Sequence, residues 1–189
     1  MISEKEKERL RETIKFWNEV SKPIEQKRFN EAKQELEKYA DFFEKNPKDR
    51  DYYFQILRHL RWIRDELEST QRDKKEFELD AKEVITEINK LLLTLAKVIG
   101  KANFDEKTRN VLFEEINKLF GPIFMTISEP KEGFASFQKI EPDTDYYQKT
   151  HSRLIREIYT KDDLIPFKIW KEKYNQELTK KWGLSRDGK

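Results

Sequence analysis

The chain contains no cysteine, which excludes a disulfide framework, a thiolate metal site and a thiol nucleophile and leaves stability to packing alone. Glycine is scarce as well: five scattered residues form neither G-x-x-x-x-G-K nor G-x-G-x-x-G, so the loops that cradle nucleotide phosphates are missing. Only four valines stand in 189 residues, against a large excess of Lys and Glu, a balance that disfavours sheet and favours helix surfaces. Charged residues make up 40% of the chain and leave no stretch of 18 apolar residues for a membrane span and no apolar export segment near Met1. The expectation is a cytoplasmic protein with no membrane partner.

Hydrophobic content is only 36%, but a near-zero net charge, +2, and 49 Leu, Ile, Val and Phe in 189 residues argue against intrinsic disorder and for a thin but real core. The fold class expected is all-α, an antiparallel multi-helix bundle with heptad-like seams. The expected organisation is a helical bundle over 1–120, an irregular Pro/Gly-containing connection over 121–145, and a basic helical segment over 146–189 packed on the bundle. Ser3 and Glu6 form a capping box ahead of Leu10, Ile14, Trp17 and Val20, with Phe16 beside them, and Pro23 restarts the chain. Phe29, Ala32, Leu36, Tyr39 and Phe43 alternate by three and four, and Asn46-Pro47 stops that helix.

The same rhythm runs through Tyr53, Ile56, Leu60, Ile63 and Leu67, lapses at Thr70 and Lys74, and returns at Phe77, Ala81, Val84, Ile88, Leu91, Leu95 and Val98, with Gly100 as the stop. Two readings follow: one helix over 51–99, about 73 Å long at 1.5 Å per residue, or a hairpin turning near Ser69 to Asp73. The hairpin is favoured, because two polar seam positions waste burial in a compact domain. A further helix near Asp105 to Phe120 turns Leu112, Ile116 and Leu119 inward. Between Gly121 and Asp145 lie two glycines, three prolines and two apolar runs that could pair as a small β-hairpin across Ser128 to Gly133.

Catalytic spacing is missing. His59 and His151 are the only histidines, and neither has a carboxylate at i±3 or i±4 to orient it. None of the seven serines lies in a glycine-rich setting, and Ser152 beside His151 diverges from it on a helix. No metal-ligand spacing and no cofactor motif occurs. Glu83 and Glu87 share a helix face, but Lys82 and Lys90 make solvated charge pairing the expected role.

Two groups remain as candidate interaction surfaces. Arg58, Arg61, Arg64 and Arg72 form a polar arc that includes Trp62 and Phe54, a combination suited to planar anions and stacking. Asp65, Glu66 and Glu68 neutralise it locally, and Phe54 with Trp62 fits a second buried face. Residues 146–189 carry 11 Lys and Arg against 6 Asp and Glu. There Lys168, Trp170, Lys171, Lys173, Lys180, Lys181 and Trp182 interleave cations with aromatics, as nucleic-acid backbones require, although Trp170, Tyr174 and Leu178 also have core spacing. The leading expectation is a non-enzymatic scaffold, adaptor or complex subunit acting by protein–protein contact or self-association. The alternative is a nucleic-acid-associated protein.

Overall fold

The computed structural model describes residues 3–73, 78–119, 169–170, 172–173 and 176–177, apart from the side chains of 70–73 and 78–79. The segment expected to form a hairpin or irregular connection, 121–145, lies outside them, as does most of 146–189. Among the described residues the regular structure is entirely helical: α1 (Glu4–Phe16), a π-helical turn (Trp17–Ser21), α2 (Lys22–Glu25), α3 (Phe29–Lys45), α4 (Arg50–Asp73), α5 (Glu78–Lys101) and α6 (Glu106–Leu119). None of these helices is long and apolar enough to cross a membrane.

Helix starts follow the sequence. The Ser3 hydroxyl accepts the Glu6 N–H, while Glu6 accepts from the Ser3 N–H at 2.8 Å, which satisfies two orphan amides at once. Asp49 caps α4 by accepting the Tyr52 N–H at 2.9 Å, and Asp105 caps α6 by accepting the Thr108 N–H at 2.8 Å. Two stops differ from expectation. Pro23 does not restart the chain: the helix continues through the π-turn, where the Lys22 N–H reaches the Trp17 carbonyl, and Pro23 is buried at the head of α2. The wider turn reroutes the ladder around a residue that has no N–H to donate. Gly100 does not end α5, which runs on to Lys101. The turn beyond is pinned from α6, where Arg109 donates to the carbonyls of Ala102 and Phe104, both at 3.1 Å.

Lys27 supplies a stop that composition concealed. Its φ of 60° is left-handed, and the Lys27 and Arg28 amides return to Ile24 and Pro23 at 3.0 and 2.7 Å. This is a Schellman ending with lysine where glycine is usual. The Lys27 side chain then pairs with Glu66 of α4 at 2.9 Å, tying the strained turn to the neighbouring helix.

Cross-helix pairs fix the directions. Arg9 pairs with Asp51, Thr13 meets Gln55, Trp17 meets Trp62 and Lys27 meets Glu66, so the N-terminal segment and α4 ascend together. Lys33 with Glu83 and Glu44 with Lys97 make α3 parallel to α5, and Tyr53 with Phe104 and Arg61 with Glu115 make α4 parallel to α6. Lys5 with Asp49, Glu12 with Lys48 and Glu19 with Tyr39 run α3 against α1. Consecutive helices are thus antiparallel, as expected, while side-by-side neighbours are parallel. The helices form two layers, α1–α4–α6 and α3–α5, and α4 touches α1, α5 and α6. Residues 51–99 form two helices of opposite direction, and the single rod is excluded.

One apolar core joins every helix. Phe29, Ala32, Leu36, Tyr39 and Phe43 are the buried residues of α3, and Tyr53, Ile56, Leu60, Ile63 and Leu67 are likewise buried, together with Tyr52 and Leu57, which the rhythm passes over. On α5 each described seam residue is buried and so are Ile85, Leu92, Leu93, Ala96 and Ile99. Glu87, expected on a solvated face, is buried too and pairs with Lys90 at 2.7 Å, while Glu83 reaches across to Lys33. The first helix is rotated from expectation. Thr13, Phe16 and Val20 face inward, whereas Leu10 and Ile14 stay 53% and 51% exposed. Thr13 can be buried because its hydroxyl donates to the Arg9 carbonyl at 2.8 Å and meets Gln55 Oε1 at 2.6 Å. Urea unfolding checks this orientation: Phe16→Ala should cost about 3–5 kcal/mol, as large core truncations do, and Leu10→Ala less than about 0.5 kcal/mol, as surface changes do. The reverse order would place α1 on its other face.

Candidate interaction surface

The rotation of α1 leaves an apolar strip on the outer side of the α1–α4 layer. Leu10, Ile14 and Trp17 follow one another at intervals of four and three, so they share a helix face. Trp17 sits at the lower end of the strip, half-buried, with its ring 4.7 Å from that of Trp62 and tilted 50° to it. Centroid separations of 4.5–7 Å are those at which aromatic pairs attract beyond area alone. Trp62 is partly buried against the core, as is Phe54 on the side towards α6. The strip therefore has a rigid aromatic floor at one end and two half-exposed aliphatic side chains at the other.

His59 closes the floor from beneath. Its ring lies 5.6 Å from Trp17 and 5.9 Å from Phe16, and burial among these rings lowers its pKa from the ordinary 6.5, because desolvation disfavours the imidazolium. No carboxylate contacts it among the described residues, where its neighbours are the rings of Phe16 and Trp17.

The cations around the strip divide into two groups. Arg58 and Arg11 are exposed and make no hydrogen bond or ion pair among the described residues. Arg61 is committed to Glu115 of α6 at 2.7 Å. Arg64 is half-buried, and the Arg72 side chain is outside the described set. The expected arc is thus dispersed: one member open to solvent, one paired across the layer, one drawn inward, and its tryptophan stacked on α1. In the C-terminal segment Trp170 packs on Phe113 of α6 at 6.0 Å, whereas Lys173 is exposed. Lys168, Lys171, Lys180, Lys181 and Trp182 lie outside the described residues.

The other openings have a different texture. A cleft of about 670 Å³ along α3 and α5 is lined by Glu37, Asp41, Glu44, Glu87 and Lys90, and Glu44 and Glu87 there are held by Lys97 and Lys90. No histidine or serine lines it, and no three metal-ligating side chains gather anywhere among the described residues. No family model, no curated protein and no solved structure matches the chain, so the functional reading rests on this geometry.

Leu10, Ile14 and Arg11 are the surface residues that sequence reasoning missed. Their only signal was Thr13, a polar residue at a helix position that the capping box and Phe16 turn inward. The pKa shift of His59 has a consequence for stability. Because the folded state favours the neutral ring, the unfolded chain takes up the proton first as pH falls below about 6.5. Stability present above that pH is therefore lost as pH falls through the folded pKa. Urea midpoints at pH 7.5 and 5.5 should differ less in His59→Leu than in the unaltered protein. An equal difference in the two would mean that the ring is not desolvated.

Proposed function

We propose that the protein is a non-enzymatic helical interaction module that binds an amphipathic, acidic helix of another protein on its α1–α4 face. The observation that carries this reading is the pairing of two half-exposed aliphatic residues, Leu10 and Ile14, with the Trp17–Trp62 stack at their end. Isolated apolar residues on a surface are ordinary, but a contiguous strip ending in a rigid aromatic pair has the composition of binding hot spots. Covering the exposed halves of Leu10 and Ile14 contributes about 1.5 kcal/mol each at ~25 cal/mol per Å².

Charge selects the occupant. Arg11 beside the strip on α1 and Arg58 on the outer face of α4 make no ion pair among the described residues, and a partner with Asp or Glu flanking its apolar stripe supplies one. A helix presenting apolar residues at i, i+3 or i+4, and i+7 matches the spacing of Leu10, Ile14 and Trp17. On the α4 face nucleic acid is the weaker reading, because such binding calls for several open cations in a row and Arg61 and Arg64 are engaged or half-buried there.

Selection from a displayed library of helical peptides tests the reading. Enriched peptides should carry an apolar stripe with Asp or Glu on its flanks. Ile14→Glu should weaken their binding at least tenfold and Arg58→Glu several-fold, while Glu37→Lys on α3 leaves it unchanged. Absence of enrichment, enrichment of basic peptides, or indifference to Ile14→Glu would overturn the proposal. A dimer in light scattering that Ile14→Glu dissolves would assign the face to a second copy of the chain instead.

A further inference from the structure

Away from that face, α1, the π-helical turn, α3 and the start of α4 line a cleft of about 310 Å³. Its walls are the rings of Tyr39, Phe42 and Tyr52, and its rim carries Glu12, Glu19 and Glu35. Lys48, from the α3–α4 turn, reaches the same rings. Its Nζ stands 5.0 Å from the Phe42 centroid and 5.5 Å from that of Tyr52, and donates to Glu12 Oε1 at 2.7 Å. The protein thus already holds one alkylammonium group between two aromatic faces and a carboxylate, the combination by which ammonium ligands are recognised. Lys48 belongs to a turn and enters the site on a flexible four-carbon stem.

A second observation shows that Lys48 does not complete the site. Tyr52 is only 2% exposed and lines the cleft, yet its hydroxyl makes no hydrogen bond among the described residues. Burial and the nearby Glu12 carboxylate raise its pKa and keep the phenol neutral, so its oxygen is available as an acceptor. Tyr39, by contrast, is satisfied, donating to Glu19 Oε2 at 2.8 Å. That hydroxyl opens on the cleft and marks the side where an incoming N–H finds an acceptor.

We propose that this cleft binds small alkylammonium ions of about the size of a diamine, and that Lys48 is the tethered occupant they displace. The incoming ammonium takes the place of Nζ over Phe42 and Tyr52, pairs with Glu12, and donates a further N–H to the Tyr52 oxygen. In a diammonium ion the second charge is met at the rim by Glu19 or Glu35, in competition with Lys15 and Lys38. Release of Lys48 also frees the α3–α4 turn from α1, since Lys48 with Glu12 and Asp49 with Lys5 are the ion pairs that join them.

The test is a titration of the ¹⁵N-labelled full chain with 1,4-diaminobutane, against sodium chloride at matched ionic strength. Saturable shifts at the Lys48 and Tyr52 amides are expected. Lys48→Met should strengthen binding about 5–10-fold, because a tethered competitor acts at millimolar effective concentration. Tyr52→Phe and Glu12→Gln should weaken it several-fold. Should Lys48→Met fail to fold by circular dichroism, Lys48→Gln removes the same charge. Failure of both the unaltered protein and the Lys48 variant to show saturable shifts, reproduction of the shifts by sodium chloride, or an affinity indifferent to Lys48 would each overturn the proposal.

Discussion

Everything in this fold follows from the need to enclose α5. Six consecutive residues, Leu91 to Ala96, are buried, and six residues at 100° each pass right round a helix. A helix with that requirement cannot lie on a surface. It needs α3 beside it and α4 and α6 over it, and each of those helices is amphipathic in the way the role demands. The 40% charge of the sequence is then not in conflict with a core. Charge is concentrated on the enclosing helices, where Lys33 with Glu83, Lys97 with Glu44 and Arg61 with Glu115 bridge neighbouring helices along the outside. Each exposed pair is worth little alone, but together they set direction and register more than they add stability.

Helix content and the core of α3, α4 and α5 were legible because those helices bury the stripe that a three-four rhythm marks. The α4–α5 reversal was legible for a related reason: the polar lapse at Thr70 and Lys74, between Leu67 and Phe77, made a continuous seam unprofitable. The orientation of α1 was not legible. Counting apolar residues favours Leu10, Ile14 and Trp17, and the actual face depends on Thr13 finding hydrogen-bond partners in the Arg9 carbonyl and in the Gln55 amide, 42 residues away. Helix ends depended on similarly distant partners. Gly100 was a plausible stop, but Arg109 holds the turn from the next helix. Lys27 carries a left-handed φ that its residue type gives no reason to expect.

The candidate surfaces show the same division. The sequence singled out arginine and tryptophan on α4, but the pairing of Arg61 with Glu115 and the contact of Trp62 with Trp17 draw those side chains to different neighbours. What is left open is smaller and more apolar than a cationic arc, and it includes residues from a different helix. The cleft around Lys48 lay beyond sequence reasoning altogether, because its rings come from α3 and α4 and its carboxylates from α1 and α3. Only the antiparallel approach of α1 and α3 assembles it. The two regions sit on different sides of α1, one towards α4 and one towards α3, so this helix, which carries no described apolar residue buried before Phe16, borders both.

The parallel arrangement of neighbours has a kinetic meaning. Pairs that hold the layers together join residues 42, 50, 53 and 54 positions apart, whereas in a bundle of simple helical hairpins the neighbours are separated by little more than a loop. Each such pairing must close a long stretch of chain before its contacts are gained, and rates fall as that separation grows. This chain therefore behaves, for its helix content, like a slower topology. α3 lacks its layer neighbour until α5 follows, and α4, although α1 precedes it, lacks α6 on its other side; during synthesis part of the apolar surface of the first half waits for the second.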